Sequence, residues 1–227
     1  MYYEPGKTPH GLPHDPFKSC VVPRPIGWIS TVDAQGRHNL APYSQFQNVT
    51  FDPPIVMFSA NQDTGGQRKD SVQNAEQSGE FVWNMATYAL RDAVNISAEE
   101  LPHGVDEFER AGLEKRPSRL VKPMRVAGSP IQFECVYLNT LRFPGVPPMG
   151  TADVVFGRVV AIHIDDAVID GKGMVDVLKI QPLARMGYFD YTYVDHRFQM
   201  VIPGNSKALL AGLEGSALKA SQEARKD

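Results

Sequence analysis

Apolar and polar positions along the chain fall mostly into short alternating stretches separated by turn residues. Residues 26–32 and 55–58 are apolar, β-branched runs of strand length. In Glu80–Met85 the side chains of Phe81, Trp83 and Met85 share one face. Residues 131–141 alternate Ile131, Phe133, Cys135 and Tyr137 against Gln132, Glu134, Val136 and Leu138. A longer strand is predicted over 154–164, where Gly157 fits a bulge, a barrel bend or the close approach of another group. Asp33-Ala34-Gln35-Gly36, Asp165-Asp166 and Asp170-Gly171 punctuate these runs as turns. Helical spacing is confined to three places. Asp70 with Gln73 suits a helix start and Gly79 its stop; Ala89, Ala93 and Ile96 mark a helix over 88–96; a third spans 105–113, with Phe108 inside and Gly112 near its end. Several short strands with few helices predict an all-β barrel carrying helical insertions.

The segments between these runs refine the picture. Residues 1–25, rich in Pro, Gly and His, read as an extended arm held by the body. Residues 39–46, between the first two strands, are poor in charge and rich in neutral hydrogen-bonding groups, the lining a flat uncharged ring requires; Asn39 reads mainly as a turn residue. Residues 181–193 read as a loop dense in Tyr, with Arg185 and a glycine. From 205 to 227 only Leu209, Leu210, Leu213 and Leu218 suggest a weak helical stripe. The expected organisation is one domain over 1–203 with an N-terminal arm, then a weakly helical or disordered tail over 204–227.

Composition removes whole classes of function. A chain of 227 residues buries roughly 70% of its unfolded surface and needs no disulfide or metal to hold a core. A formal charge of −3, with no basic block, argues against nucleic acid as a partner. Cys20 and Cys135 stand alone and read as reduced thiols of a cytoplasmic protein. There is no signal-peptide pattern and no apolar run of membrane-spanning length. His10 and His14 flank Pro13, which keeps them off a shared helical face, so no metal site is assigned. The common Gly-rich nucleotide loops, zinc-protease and hydrolase-elbow motifs are missing. Glu99-Glu100 and Asp165-Asp166 read as solvated turns, and His163 as a structural group on an apolar strand.

One local feature carries chemistry. Arg68 and Lys69 precede the helix predicted to start at Asp70, so cations, free N–H groups and the helix dipole coincide. That is an anion site on physical grounds.

PRPIGWIST, then NLAPYSQFQNVTFDPPIVMFS, RKDS and EFVWN, followed by VVFGRVVAIHIDD and QPLARMGYFDY, resemble the flavin reductase-like family of FMN-binding split barrels over most of 9–203. The resemblance implies a six-stranded Greek-key split β-barrel that dimerises, with FMN in a cleft at the interface. It implies Arg24, Trp28, Ser30 and Thr31 on the first strand beside the cofactor, then Ser44, Phe46 and Thr50, with backbone around Pro42 and Tyr43 facing the ring edge. Ser59, Lys69 and Ser71 would hold the phosphate, converging on the anion site above; Arg185 and Tyr188 are further candidates, contributed across the interface.

The implied activity is hydride transfer from NADH or NADPH to flavin N5. Reduced flavin or electrons would then pass to a partner such as a monooxygenase. Hydride moves directly between rings, so no catalytic side chain is assigned. The competing readings are a flavoredoxin-like FMN electron carrier without its own NAD(P)H oxidation, and a non-redox flavin-binding module.

Overall fold

The computed structural model describes residues 1–200. They form a compact unit, Met1–Asp195, and the opening of a second unit that starts at His196. The weak helix expected over 204–227 lies outside the described residues.

In chain order the elements are α1 (Phe17–Cys20), β1 (Arg24–Pro25), β2 (Gly27–Val32), β3 (His38–Tyr43), β4 (Phe46–Phe51) and β5 (Pro54–Asn61). There follow α2 (Asp70–Ser78), β6 (Glu80–Met85), α3 (Arg91–Ile96), α4 (Glu107–Arg110), β7 (Lys115–Arg116) and β8 (Arg125–Val126). The chain continues through β9 (Ile131–Phe143), β10 (Ala152–Ile164), α5 (Val177–Ile180), β11 (Leu183–Gly187) and β12 (Asp190–Tyr193). The main sheet is 7-stranded and antiparallel, in the order β3-β2-β6-β9-β10-β5-β4. This is the β-dominated split barrel expected, with seven strands in its sheet rather than six. A 3-stranded sheet, β1-β11-β12, stands beside it, and β7 pairs with β8.

The sheet curls because its ends share one core. Phe46 on edge strand β4 stacks on Trp83 of β6, with ring centroids 5.2 Å apart and planes 3° from parallel. A Cβ on Gly27 of β2 would lie 2.8 Å from the same Phe46 ring, so only glycine lets these strands approach. Inside the barrel lie Ile29, Phe58, Phe81, Cys135 and Val155. Strand alternation sends Trp28 and Leu40 to the opposite face. There they form a second core with Val94, Phe108, Val126 and Leu183, beneath the helical insertion.

Several expectations are met. Gly36, at φ 81°, closes the turn after β2, and Gly79, at φ 74°, stops α2 with its N–H on the Ala75 carbonyl. Gly157 sits at a register shift between β9 and β10, and a Cβ there would lie 2.3 Å from Phe81. His163 is structural: its Nε2 meets Glu134 Oε1 at 2.5 Å.

Other expectations change. Residues 39–46 lie largely on strands rather than between them, forming most of β3 and the start of β4. Asn39 is therefore a buried strand residue rather than a turn residue, its amide donating to Ser71 Oγ at 2.8 Å. The 181–193 segment is a hairpin, β11–β12, rather than a loop. In the 88–96 segment the regular helix begins only at Arg91, and it buries Val94 while Ala89 stays exposed. Helix α2 starts from Lys69 as its N-cap, with no side-chain cap, so Asp70 is a first-turn residue and not the cap.

Candidate functional site

Two adjoining cavities lie along the outer end of β3, of 670 Å³ and 430 Å³, and Pro42 and Ala98 line both. Ser44 faces the larger, and Tyr43 with Ala41 the smaller. The neutral stretch singled out in the sequence thus forms the ridge between them.

The larger cavity takes its charge from the small sheet. Arg24 of β1 pairs in register with Arg185 of β11. Like charges placed directly opposite are unfavourable, yet neither arginine makes an ion pair among the described residues. Arg24 donates through Nη1 to the Lys18 and Val21 carbonyls, while its buried Nε has no partner. Burial, and secondarily the charge of Arg185, pulls its guanidinium below its ordinary value. Arg185 donates to the Tyr188 carbonyl and lies over the Tyr191 ring at 4.5 Å. Tyr188 itself has φ 47°, a left-handed conformation unusual for a tyrosine, and it lines the cavity at the hairpin tip.

The smaller cavity abuts the N-terminus of α2. Lys69 and Ser71 line it, and α2 begins there without a side-chain cap, the Val72 N–H donating to the Lys69 carbonyl at 3.0 Å. The two cations expected here are separated. Arg68 borders the cavity too, but its guanidinium is committed to Glu76, at 2.6 and 2.7 Å, and to Asp153, at 2.8 Å, and so is structural. Lys69 instead reaches Glu100 at 3.7 Å, and the same Glu100 oxygen accepts the Thr64 N–H at 2.8 Å. Glu99, its neighbour, pairs with Arg110 at 2.9 Å, so the doublet read as a solvated turn is engaged on both members.

The strap of 97–104 that carries these acids is also held by His103. Arg37 only donates, so His103 Nε2 accepts from it at 2.8 Å and Nδ1 carries the proton to Asp70 at 2.9 Å. Glu107 lines this cavity as well; burial pushes its carboxyl up to about 7 even as it accepts the Leu40 N–H at 2.9 Å. Burial also raises the Tyr43 phenol well above its ordinary value.

Of the residues predicted to touch a cofactor, Arg24, Pro42, Tyr43, Ser44, Lys69, Ser71, Arg185 and Tyr188 therefore line one groove. Trp28, Ser30 and Thr31 depart from expectation, since none has accessible surface. Trp28 donates its indole N–H to Ser97, Ser30 donates to the Met124 carbonyl, and Thr31 accepts from Asn74. Phe46 is likewise core, stacked on Trp83. Thr50 and Ser59 lie on β4 and β5, outside both cavities. Asn39, Glu100, His103 and Glu107 were missed. Their only sequence signal was polarity, which does not reveal a partner distant in the chain. His10 packs against Tyr3 and His14 against Tyr188. Among the described residues no group of three or more His, Cys, Asp or Glu gathers as a metal site.

A curled antiparallel barrel with a groove at one end of its sheet is a split-barrel architecture. The family model for the flavin reductase like domain matches residues 19–196, and the chain belongs to that family. An uncharacterized protein of Aquifex aeolicus (strain VF5) is 36% identical over 167 residues, 74% of this chain and 82% of its own. Nitrilotriacetate monooxygenase component B from Bacillus cereus superposes with a TM-score of 0.80 at 27% identity, covering 88% of this chain and 98% of its own. The flavoredoxin of Desulfovibrio vulgaris (Miyazaki F) gives 0.71 at 16% identity, covering 87% and 98%, a likeness of fold. No helix among the described residues is long and apolar enough to cross a membrane.

Proposed function

We propose that the protein is an FMN-binding NAD(P)H:flavin oxidoreductase that hands reduced flavin or electrons to a partner enzyme. The observation that carries the reading is the groove. An arginine pair, a neutral strand end and an uncapped helix N-terminus with a lysine follow one another along it. The donor set fits a flavin mononucleotide: the partnerless Arg24 Nε seeks an acceptor, and the uncapped α2 N-terminus seeks an anion. Bound FMN supplies the hydride-accepting ring.

The chain's own residues bind and tune. Lys69, Ser71 and the leading N–H groups of α2 hold the phosphate. Pro42, Tyr43 and Ser44 support the ring edge. Arg24 and Arg185 hold positive charge where the reduced ring gains electron density. Glu100, 3.7 Å from Lys69, would have to give way for a phosphate to pair with that lysine.

A homodimer completes the reading. Val49 and Phe51, at 51% and 77% exposure, give edge strand β4 an apolar surface suited to a second copy. Sedimentation analysis giving a monomer at all concentrations overturns the dimer.

The test of activity is oxidation of NADH and NADPH by purified protein with and without added FMN. Turnover with either donor is expected. FMN bound without oxidation of either donor overturns the reductase reading and leaves an electron carrier.

A further inference from the structure

A third cavity, of 440 Å³, lies on the other side of the β11–β12 hairpin. That volume falls in the range of small-molecule sites. Its walls are aromatic. Tyr88 and Tyr193 pack with centroids 4.3 Å apart and planes 32° from parallel, and Arg91 covers the Tyr88 ring at 4.4 Å. Tyr191 precedes Tyr193 by two residues, so both rings stand on one face of β12. Tyr191 is 42% exposed and Phe189, at the hairpin tip, 94% exposed.

Two features separate this cavity from an ordinary apolar dent. Asp92 and Asn95 of α3 stand at its exposed rim, Asp92 3.8 Å from Arg91, adding an acceptor and an amide that both donates and accepts. Phe189 and Tyr191 line this cavity and the large cavity of the groove alike. Arg185, which lies over Tyr191, stands on the groove side of that boundary.

We propose that this cavity seats the adenine ring of the pyridine dinucleotide donor, an inference that rests on the NAD(P)H reading above. A flat heteroaromatic ring stacks on Tyr193 and Tyr191, and its amino edge meets Asp92 and Asn95. Arg91 and Arg185 flank the path its phosphates take toward the groove, where the nicotinamide reaches the flavin. The outward Phe189, set by the left-handed Tyr188, is the wall over which the donor bends.

The test compares intact protein with Tyr193→Ala, Tyr193→Phe and Asn95→Ala, using NADH and reduced nicotinamide mononucleotide, which lacks the adenine. Stacking of a base on an aromatic side chain corresponds to roughly ten- to hundredfold in affinity. Tyr193→Ala is expected to raise KM for NADH by about that factor, with kcat nearly unchanged and KM for the mononucleotide unaltered. Tyr193→Phe should restore the parent KM. AMP should inhibit competitively against NADH in the parent and not in Tyr193→Ala. An equal change for both donors, or no change for either, overturns the proposal. Calorimetric titration with AMP decides independently of turnover. If neither donor is oxidised, the reductase reading fails, but AMP binding that is lost in Tyr193→Ala and weakened in Asn95→Ala sustains an adenine site. No AMP binding to the parent overturns it.

Discussion

Arg68 and Lys69 are neighbours in sequence with opposite assignments, and exchanging each for alanine should separate stability from cofactor affinity. Arg68 makes charge-assisted contacts with Glu76 and Asp153, and its side chain is only 25% exposed. Such bonds are each worth about 1.5–3 kcal/mol. Simple addition overshoots, because Glu76 retains access to water and Asp153 keeps Arg142 at 2.8 Å. Arg68→Ala should therefore lower the free energy of unfolding by about 2–4 kcal/mol, while leaving FMN affinity within about threefold, less than the effect of one ligand contact.

Lys69→Ala should do the reverse. Its one side-chain partner among the described residues is a partly exposed carboxylate at 3.7 Å, so stability should change by no more than about 0.5 kcal/mol. FMN affinity should fall about ten- to hundredfold as a phosphate contact is lost. Urea denaturation followed by tryptophan fluorescence reads the first quantity and fluorescence titration with FMN the second. Arg68 also holds the Glu76 carboxyl below its ordinary value. The stability carried by that shift is present above the ordinary Glu pKa and lost as pH falls through the folded one, so parent and Arg68→Ala should converge in acid. Equal losses of FMN affinity in the two variants, with stability untouched in both, would refute the assignment of Arg68 to the fold.

Three further outcomes are expected. Gly157→Ala should destabilise by about 1–3 kcal/mol through overpacking against Phe81, read as a lower urea midpoint with an unchanged slope. Glu134 is fully buried and accepts the Arg119 and Leu120 N–H groups besides His163, which together outweigh burial and hold its carboxyl below the ordinary range. Glu134→Gln should therefore cost about 2–4 kcal/mol at pH 7, and the deficit should shrink as pH falls through that depressed value; a pH-independent deficit refutes the charge argument. Glu107, pushed up to about 7, works in the other sense: the folded state tolerates it protonated, so stability is lost as pH rises from the ordinary Glu range through 7. Glu107→Gln should leave stability unchanged at pH 4 and raise it by about 2–3 kcal/mol at pH 8, and identical pH profiles for the two proteins would sink this.

The interior strands were legible because alternation reports burial on at least one face, and β2, β6, β9 and β10 appear where the pattern put them. Edge strands were not. In β4 only Phe46 is buried, and a strand that packs on so little leaves almost no hydrophobic period. The β11–β12 hairpin was hidden for a related reason, since its tyrosines face cavities rather than the core. At the candidate site, Ser44, Lys69 and Ser71 were put forward by family resemblance, and Lys69 by local physics as well, and all three line the groove. Trp28 shows the limit of such transfer. Strand parity says which side chains share a face, and here that face meets the helical insertion instead of a ligand. The turn of Arg68 toward Asp153, and the opposition of Arg24 and Arg185, depend on partners far along the chain.

The small sheet β1-β11-β12 has a consequence for the order of synthesis. One arginine of the pair at the large cavity is made before the barrel strands β2 to β10 and the other after them. The barrel strands from β2 to β10 have all emerged by then. Nascent chains arrested after α5 should thus hold a folded barrel yet retain no flavin. Competence for the cofactor would mark arrival of the β11–β12 hairpin rather than formation of the barrel core.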